Sequence, residues 1–226
     1  MKLSNKILIG FLGFAFLYLT AVFAEVRLRG TPNIINDANS IAQTADIPGT
    51  AYIILRGLHD NVNVVGSDQP RLEVRSHSGD QLKRLQYKLS GDTLILSQLP
   101  SETWTPVRIS VFVRKSGLRG MTVDSAAAVV SGLELTSFDI EQRTGRVWMS
   151  NNKIGKINMH ASARSFSDVS GEIDTLSATI EESQAHISAP VPVLEGSMKN
   201  NSFLRVTEIG VIQFEKDETS RLNMYQ

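Results

Sequence analysis

MTVDSAAAVV, residues 121–130, is the first of six copies of one pattern that fill residues 121–224. Each copy holds two pairs of residues spaced two apart, and among these positions only Asp168 is polar and only Gly196 lacks a side chain. The second pairs end at residues 130, 149, 168, 187, 206 and 224, which gives four steps of 19 and one of 18. The first pairs are 121/123, 138/140, 157/159, 178/180, 196/198 and 212/214.

This spacing indicates short strands, because residues i and i+2 lie on the same face of a β-strand. A repeat of about 19 residues is at the short end of the range that is typical of solenoids. Two such strands cannot bury an apolar face alone, so successive copies must stack in parallel at ~4.8 Å. The sequence therefore predicts an all-β fold, a single-stranded parallel β-helix that follows an N-terminal hydrophobic helix.

The positions between and after the apolar pairs are mostly polar, as expected for a strand with one face in water. No proline occurs between Val107 and Ala189, which suits ladder strands because proline supplies no backbone donor.

The composition excludes several classes of protein. The chain has 226 residues, 23 basic against 23 acidic side chains, and no cysteine. Disulfides, thiolate metal sites and a cysteine nucleophile are therefore excluded. The balanced charge leaves no basic footprint for nucleic acid. We expect no cofactor and no bound metal.

Residues 7–24 form an uncharged run of 18 residues after Lys2 and Lys6. As a helix this run would be about 27 Å long against a hydrocarbon core of ~30 Å. It fits a retained membrane anchor, or a signal peptide of residues 1–24 that is cleaved before Glu25. Both interpretations predict an exported body in the periplasm or cell envelope. Arg27 and Arg29 on the far side leave a cytoplasmic body as a further alternative.

The rest of the chain divides into two predicted parts. Residues 25–48 lack periodicity and are interpreted as a tether. Residues 49–226 are interpreted as the solenoid domain, with N-terminal strands and a cap over 49–115 and regular rungs over 116–226.

An N-terminal export segment, an early strand region and short units with turns such as Ser131-Gly132 and Ser170-Gly171 resemble the auto-transporter adhesin head GIN domain family. The resemblance covers about residues 50 to 226 and implies an exported parallel β-helical domain of unassigned biochemistry. Residues 124–128, DSAAA, depart from the small-residue rung motif of that family. The resemblance supplies no catalytic residue.

Two outward-facing groups are candidate binding surfaces. Glu141, His160 and Glu181 are predicted as neighbours on successive rungs, where a histidine between carboxylates could hold a divalent metal or transfer protons. An ordinary solvated wall of charges is the alternative interpretation. On the second wall, Trp148 beside His186 and Arg205 could stack on a sugar, or could be packed as a partly buried aromatic residue.

Asp168 occupies a predicted core position. Burial of its carboxylate would require hydrogen-bonding partners. The alternative is a one-residue bulge in residues 165–169 that turns Val169 inward instead.

These features predict an exported, non-enzymatic β-solenoid that acts as a structural, adhesion or binding module of the cell envelope. The expected partner is an envelope protein or glycan, with the membrane contacted through the N-terminal segment. The alternative is a carbohydrate-active enzyme, a lyase or hydrolase, that uses the wall around Trp148, His160 and His186. Fold analogy is the main support for that alternative.

Overall fold

The computed structural model describes residues 3–29, 35, 37–97 and 107–224, without the side chains of residues 3–8, 26, 28 and 29. Residues 30–34 and 36 of the predicted tether lie outside the described residues, and so does Trp104. The chain falls into two compact units, residues 1–34 and 35–226.

The first unit contains one helix, α1 (Leu3–Arg29), as the hydrophobic run predicts. Its apolar side chains are exposed, for example Phe11 at 66% and Phe16 at 71%. Among the described residues, no helix combines the length and the hydropathy that crossing a membrane requires. The predicted transmembrane segment is therefore not supported.

The second unit consists of fifteen described strands and one 3-10 turn, Gln81–Lys83. The strands are β1 (Ile41–Asp46), β2 (Tyr52–Arg56), β3 (Asn61–Gly66), β4 (Arg71–Ser76), β5 (Gln86–Ser90), β6 (Thr93–Ser97), β7 (Arg108–Val113), β8 (Gly120–Asp124), β9 (Ala127–Ser131), β10 (Glu134–Arg143), β11 (Arg146–Ser162), β12 (Phe166–Glu181), β13 (Gln184–Lys199), β14 (Phe203–Lys216) and β15 (Arg221–Met224).

These strands wind into a parallel β-helix, which confirms the predicted fold. From β10 to β14 each strand pairs in parallel with the one a turn later. Each full turn supplies three strand segments, and the segments stack into three faces. Face 1 contains residues 127–131, 146–150, 166–170, 184–188, 203–207 and 221–224. Face 2 contains residues 134–135, 152–154, 171–173, 190–191 and 208–209, and face 3 contains residues 120–124, 138–143, 156–162, 175–181, 193–199 and 211–216.

Apolar side chains stack in single file inside the solenoid. On face 1, one ladder consists of one core-facing residue from each turn, and each residue pairs with its equivalent in the next turn. The first five members of this ladder are at most 2% exposed. The ladder contains Val130, Met149, Val169, Ile187, Val206 and Met224. Because each member covers the one before it, burial is shared between neighbouring turns rather than made within one.

Val169, and not Asp168, occupies the core position of the third segment of face 1, residues 166–170. Val169 is fully buried, while Asp168 lies on the outer side. The inward position of Val169 is confirmed, but its cause differs from the predicted bulge. The preceding corner holds two residues with positive φ, Ala163 and Arg164, where the corner one turn earlier has only Thr144. This extra corner residue exchanges inside and outside over residues 166–169 only. The register returns to its former step where Asn152 pairs with Gly171, so the rest of β12 keeps the predicted orientation.

The N-terminal turns stack out of chain order. The turn made by β2 and β3 lies between the turn made by β6 and β7 and the turn made by β8 and β9. Beyond β7, face 1 continues with two more strands. β4 pairs antiparallel with β7, and β1 pairs antiparallel with β4. Residues 41–46 therefore form a strand rather than part of the predicted tether. None of their side chains is fully buried, which explains why the sequence shows no apolar alternation there.

Candidate functional site

The predicted stripe of Glu141, His160 and Glu181 does not form. Glu141 pairs directly with His160 on face 3, but the next residue in that column is Thr179. Glu181 lies two residues further along, where it pairs with Lys199 in an ion pair of 3.4 Å. A slip of two residues keeps every side chain on its own side of the strand, so the polarity pattern could not reveal it.

Glu141 and His160 lie in a shallow depression of about 460 Å³ on face 3. Within the described ranges, no three His, Asp or Glu side chains converge as metal ligands would. The Glu141 and His160 pair therefore lacks the third ligand that a protein metal site normally requires.

Face 1 brings together Trp148, His186 and Arg205. They belong to one outward column, in which Asp168 lies between Trp148 and His186. Neighbours in such a column are ~4.8 Å apart, so one extended ligand could contact all four side chains. Asp168 enters this surface because the two-residue corner turns it outward.

The neighbouring outward column adds aromatic residues that the sequence pattern did not indicate. It contains Arg146, Phe166, Gln184 and Phe203. The ring centroid of His186 lies 5.2 Å from that of Phe166 and 5.9 Å from that of Phe203, in edge-to-face contacts with interplanar angles of 80° and 77°. The repeat of apolar pairs places Phe166, two residues before Asp168, in the core. It lies outside instead, because the length of the preceding corner determines its side of the strand.

A cavity lies where this surface meets the corner between faces 3 and 1. We call it the corner groove; it has a volume of about 690 Å³. Trp148 and Phe166 line it, together with polar and charged residues. These are Arg146, Arg164, Ser165, Glu182, Ser183, Gln184, Asn200 and Asn201.

Buried hydrogen bonds hold the base of the corner groove. Four serines, each at most 2% exposed, occupy equivalent corner positions. The backbone N–H of each of the first three donates to the hydroxyl of the next, over 3.2, 3.4 and 3.1 Å. They are Ser165, Ser183, Ser202 and Ser220. Their steps of 18, 19 and 18 residues are a signal that could have located this corner in the sequence.

The groove combines flat apolar rings with hydrogen-bonding groups that face solvent. Within the described part of the chain, the guanidinium groups of Arg146 and Arg164 make no ion pair. The side-chain amides of Gln184 and Asn201 are also exposed. A sugar ring has an apolar face and a rim of hydroxyl or carboxylate groups. Aromatic rings can stack on the apolar face, and amides and guanidinium groups can hydrogen-bond to the rim.

Comparison with known proteins finds similarity in structure only. No family model matches the chain, and no curated protein matches it in sequence. A candidate adhesin from Bacteroides fragilis has a TM-score of 0.60 and 13% identity, over 82% of this chain and 96% of that one. A candidate adhesin from Parabacteroides distasonis has a TM-score of 0.55 and 11% identity, over 84% and 94%. Another from Parabacteroides merdae has a TM-score of 0.50 and 9% identity, over 85% and 99%. At these identities the likeness shows a shared fold.

Proposed function

We propose that this protein is an exported, non-enzymatic β-solenoid that binds a glycan of the cell envelope in the corner groove. The observation that carries the proposal is the grouping of Trp148, Phe166, His186 and Phe203 beside Arg146 on one rigid wall. Contiguous apolar patches on a protein surface often mark binding sites, and these rings are partly exposed. A glycan that lies along the stack would contact side chains of several successive turns.

The structural neighbours support an adhesion or binding role, since three with a TM-score of at least 0.50 are described as candidate adhesins. They also support the resemblance to the auto-transporter adhesin head GIN domain family, which we propose as the family of residues 50–226. Export to the envelope is part of the same proposal. It rests on the apolar, exposed α1 and on the use of the fold by adhesin-like proteins.

The arrangement of the histidines disfavours the carbohydrate-active enzyme. That alternative requires Trp148, His160 and His186 to act on one substrate. His160 lies on face 3, whereas Trp148 and His186 lie on face 1. A general acid and a general base must both reach the reacting atoms of one bound substrate.

An array of neutral and acidic oligosaccharides, probed with the purified full chain, tests the proposal. We expect Trp148→Ala to weaken capture of the bound glycan about tenfold, equivalent to about 1.4 kcal/mol, because the stacking ring is lost. Trp148 is one of only two tryptophans. A Trp104→Phe variant therefore allows its fluorescence to be followed alone during titration with that glycan.

Tyr52→Ala is the matched control, since Tyr52 is 37% exposed and belongs to β2, which extends face 3. This variant should bind as the unmodified protein does. Equal loss of binding in both variants, or no glycan bound on the array, would contradict the proposal. Turnover of a glycan that His160→Ala abolishes would favour the enzyme instead.

A further inference from the structure

The two ends of the solenoid differ in how they close. At the N-terminal end the segment around the 3-10 turn covers the core, with Leu85 at 5% and Gln81 at 4% exposure. The backbone N–H of Leu82 in this segment donates to Gln43 Oε1 of β1 at 3.0 Å. This end is therefore capped by the chain itself.

The C-terminal end is stepped and open within the described residues. β15 pairs only with Phe203–Val206 of β14, on face 1. Residues 208–216 of β14 have no described strand beyond them, so face 3 ends one strand earlier than face 1. A strand edge of this kind presents unpaired N–H and C=O groups that can pair with another chain.

Core-facing side chains are exposed at this step. Ile212 is 41% exposed although its column partner Leu194 is fully buried, and Met224 is 56% exposed above the fully buried Val206. Phe214 and Leu222 are only partly buried at the same edge. These side chains lie in core columns that lack one further layer of cover.

We propose that a second copy of this chain covers the open end through a two-fold axis perpendicular to the solenoid. Such an axis places the protruding β15 of one copy against the recessed edge of β14, residues 212–215, of the other. The rotation keeps the handedness of the solenoid but reverses the direction in which the chain runs around the shared axis. The two strands therefore pair antiparallel. Both steps are filled at once, because the contact is isologous.

One antiparallel register matches every side chain on these strands. If Arg221 of β15 lies opposite Glu215, the following pairs are Leu222 with Phe214, Asn223 with Gln213, and Met224 with Ile212. Directly opposed residues of an antiparallel pair lie on the same side of the sheet. The apolar pairs then continue the core, while the charged pair and the amide pair face solvent. Shifting the register by one residue would oppose core-facing to outward-facing side chains.

The capped N-terminal end limits this association to dimers. Head-to-tail stacking would place the open end against the segment that already covers the core around Leu85. The open end of a second copy, by contrast, offers the same exposed apolar residues and the complementary charges of Arg221 and Glu215. Charges on a sheet edge discourage indiscriminate pairing, and here their arrangement selects a second copy.

Cysteine cross-linking of the full chain tests the dimer, and the background is clean because the chain has no cysteine. In the proposed register, residues 213 and 223 of different copies have Cα atoms about 5 Å apart, within reach of a disulfide. Gln213→Cys combined with Asn223→Cys should give a species of twice the chain mass on a non-reducing gel after mild oxidation. In the control pair, Ser197→Cys with Asn223→Cys, residue 197 lies one strand further from the open end. This pair should not give the cross-linked species.

Charge reversal in the same cysteine background gives a second readout. Arg221→Glu or Glu215→Arg alone should lower the cross-linked yield about tenfold, and the double reversal should restore it. Glu134→Arg, on the exposed wall of face 2, should leave the yield unchanged. The proposal is overturned if the yield equals that of the control pair, or if single reversals do not affect it. It is also overturned if Gln213→Cys cross-links instead to Ser90→Cys on β5, which would mean head-to-tail stacking.

Discussion

Gln142 is a polar side chain inside the apolar core, in a column between Val123 and Ala161. It is fully buried, yet all of its bonding groups are used. Its Nε2 donates to the carbonyls of Gly145 and Phe166, both at 2.7 Å, and its Oε1 accepts from the Ser167 hydroxyl at 2.6 Å. These bonds connect β10 to β12 across the corner and hold the strand that carries Phe166.

Replacing Gln142 by leucine should destabilise the protein by about 2 kcal/mol, because the Ser167 hydroxyl would remain buried without its partner. Thermal unfolding should show this as a fall of about 4 to 8 °C. Adding Ser167→Ala should recover part of the loss, which a double-mutant cycle measures. Gln184→Leu, at an exposed position, is the control and should change stability by less than about 0.5 kcal/mol. An unchanged melting temperature in Gln142→Leu would show that these bonds add nothing.

The last corner of the solenoid is organised by a single carboxylate. Asp217 accepts backbone N–H groups from Asn200 at 2.8 Å and Ser220 at 2.9 Å, and the Thr219 hydroxyl at 3.0 Å. Hydrogen bonding, chiefly from Ser220, lowers the pKa of Asp217 from 3.8 to about 2. These bonds link the turn before β15 to the corner of the previous turn.

The lowered pKa predicts that the last turn loosens in acid. A group whose pKa is depressed on folding stabilises the folded state above its unfolded pKa of 3.8, and the effect is lost as the pH falls towards about 2. Proteolysis within residues 217–224 should therefore accelerate between about pH 4 and pH 2, measured with an acid-active protease. Asp217→Asn should remove most of this pH dependence, whereas Glu134→Gln should keep it. A pH profile that is the same in Asp217→Asn and the unmodified chain would refute the assignment.

At the scale of the whole molecule, the solenoid is stabilised by contacts between neighbouring turns. Its local stability against unfolding should therefore decrease towards an open end. β11, β12 and β13 each have a strand on both sides, whereas residues 208–216 have one on only one side. In Arg221→Glu, which weakens the proposed dimer, amide hydrogen exchange within the solenoid strands should be slower in β11 and β12 than in residues 208–216 and β15. In the unmodified chain, protection of residues 212–215 should rise with protein concentration. Uniform exchange along the solenoid would contradict this account.

Much of the fold could be predicted because apolar pairs recur at nearly constant intervals. The ladder from Val130 to Met224 follows directly from that spacing, apart from the position of Asp168. The out-of-order stacking of β2 and β3 could not be predicted, because strand alternation does not specify which strand is the neighbour. The same limit applied to Glu181, whose true neighbour is Lys199.

The amino-acid order alone therefore established a parallel β-helix with apolar ladders inside and polar walls outside, since the apolar pattern follows from covalent geometry and water. Lateral neighbours on those walls depended on the folded chain. A two-residue slip leaves inside and outside unchanged, and a single added corner residue, as at Ala163 and Arg164, exchanges them. Phe166 lines the corner groove because that one residue turns it towards solvent. The length of a corner becomes apparent only when successive turns are stacked.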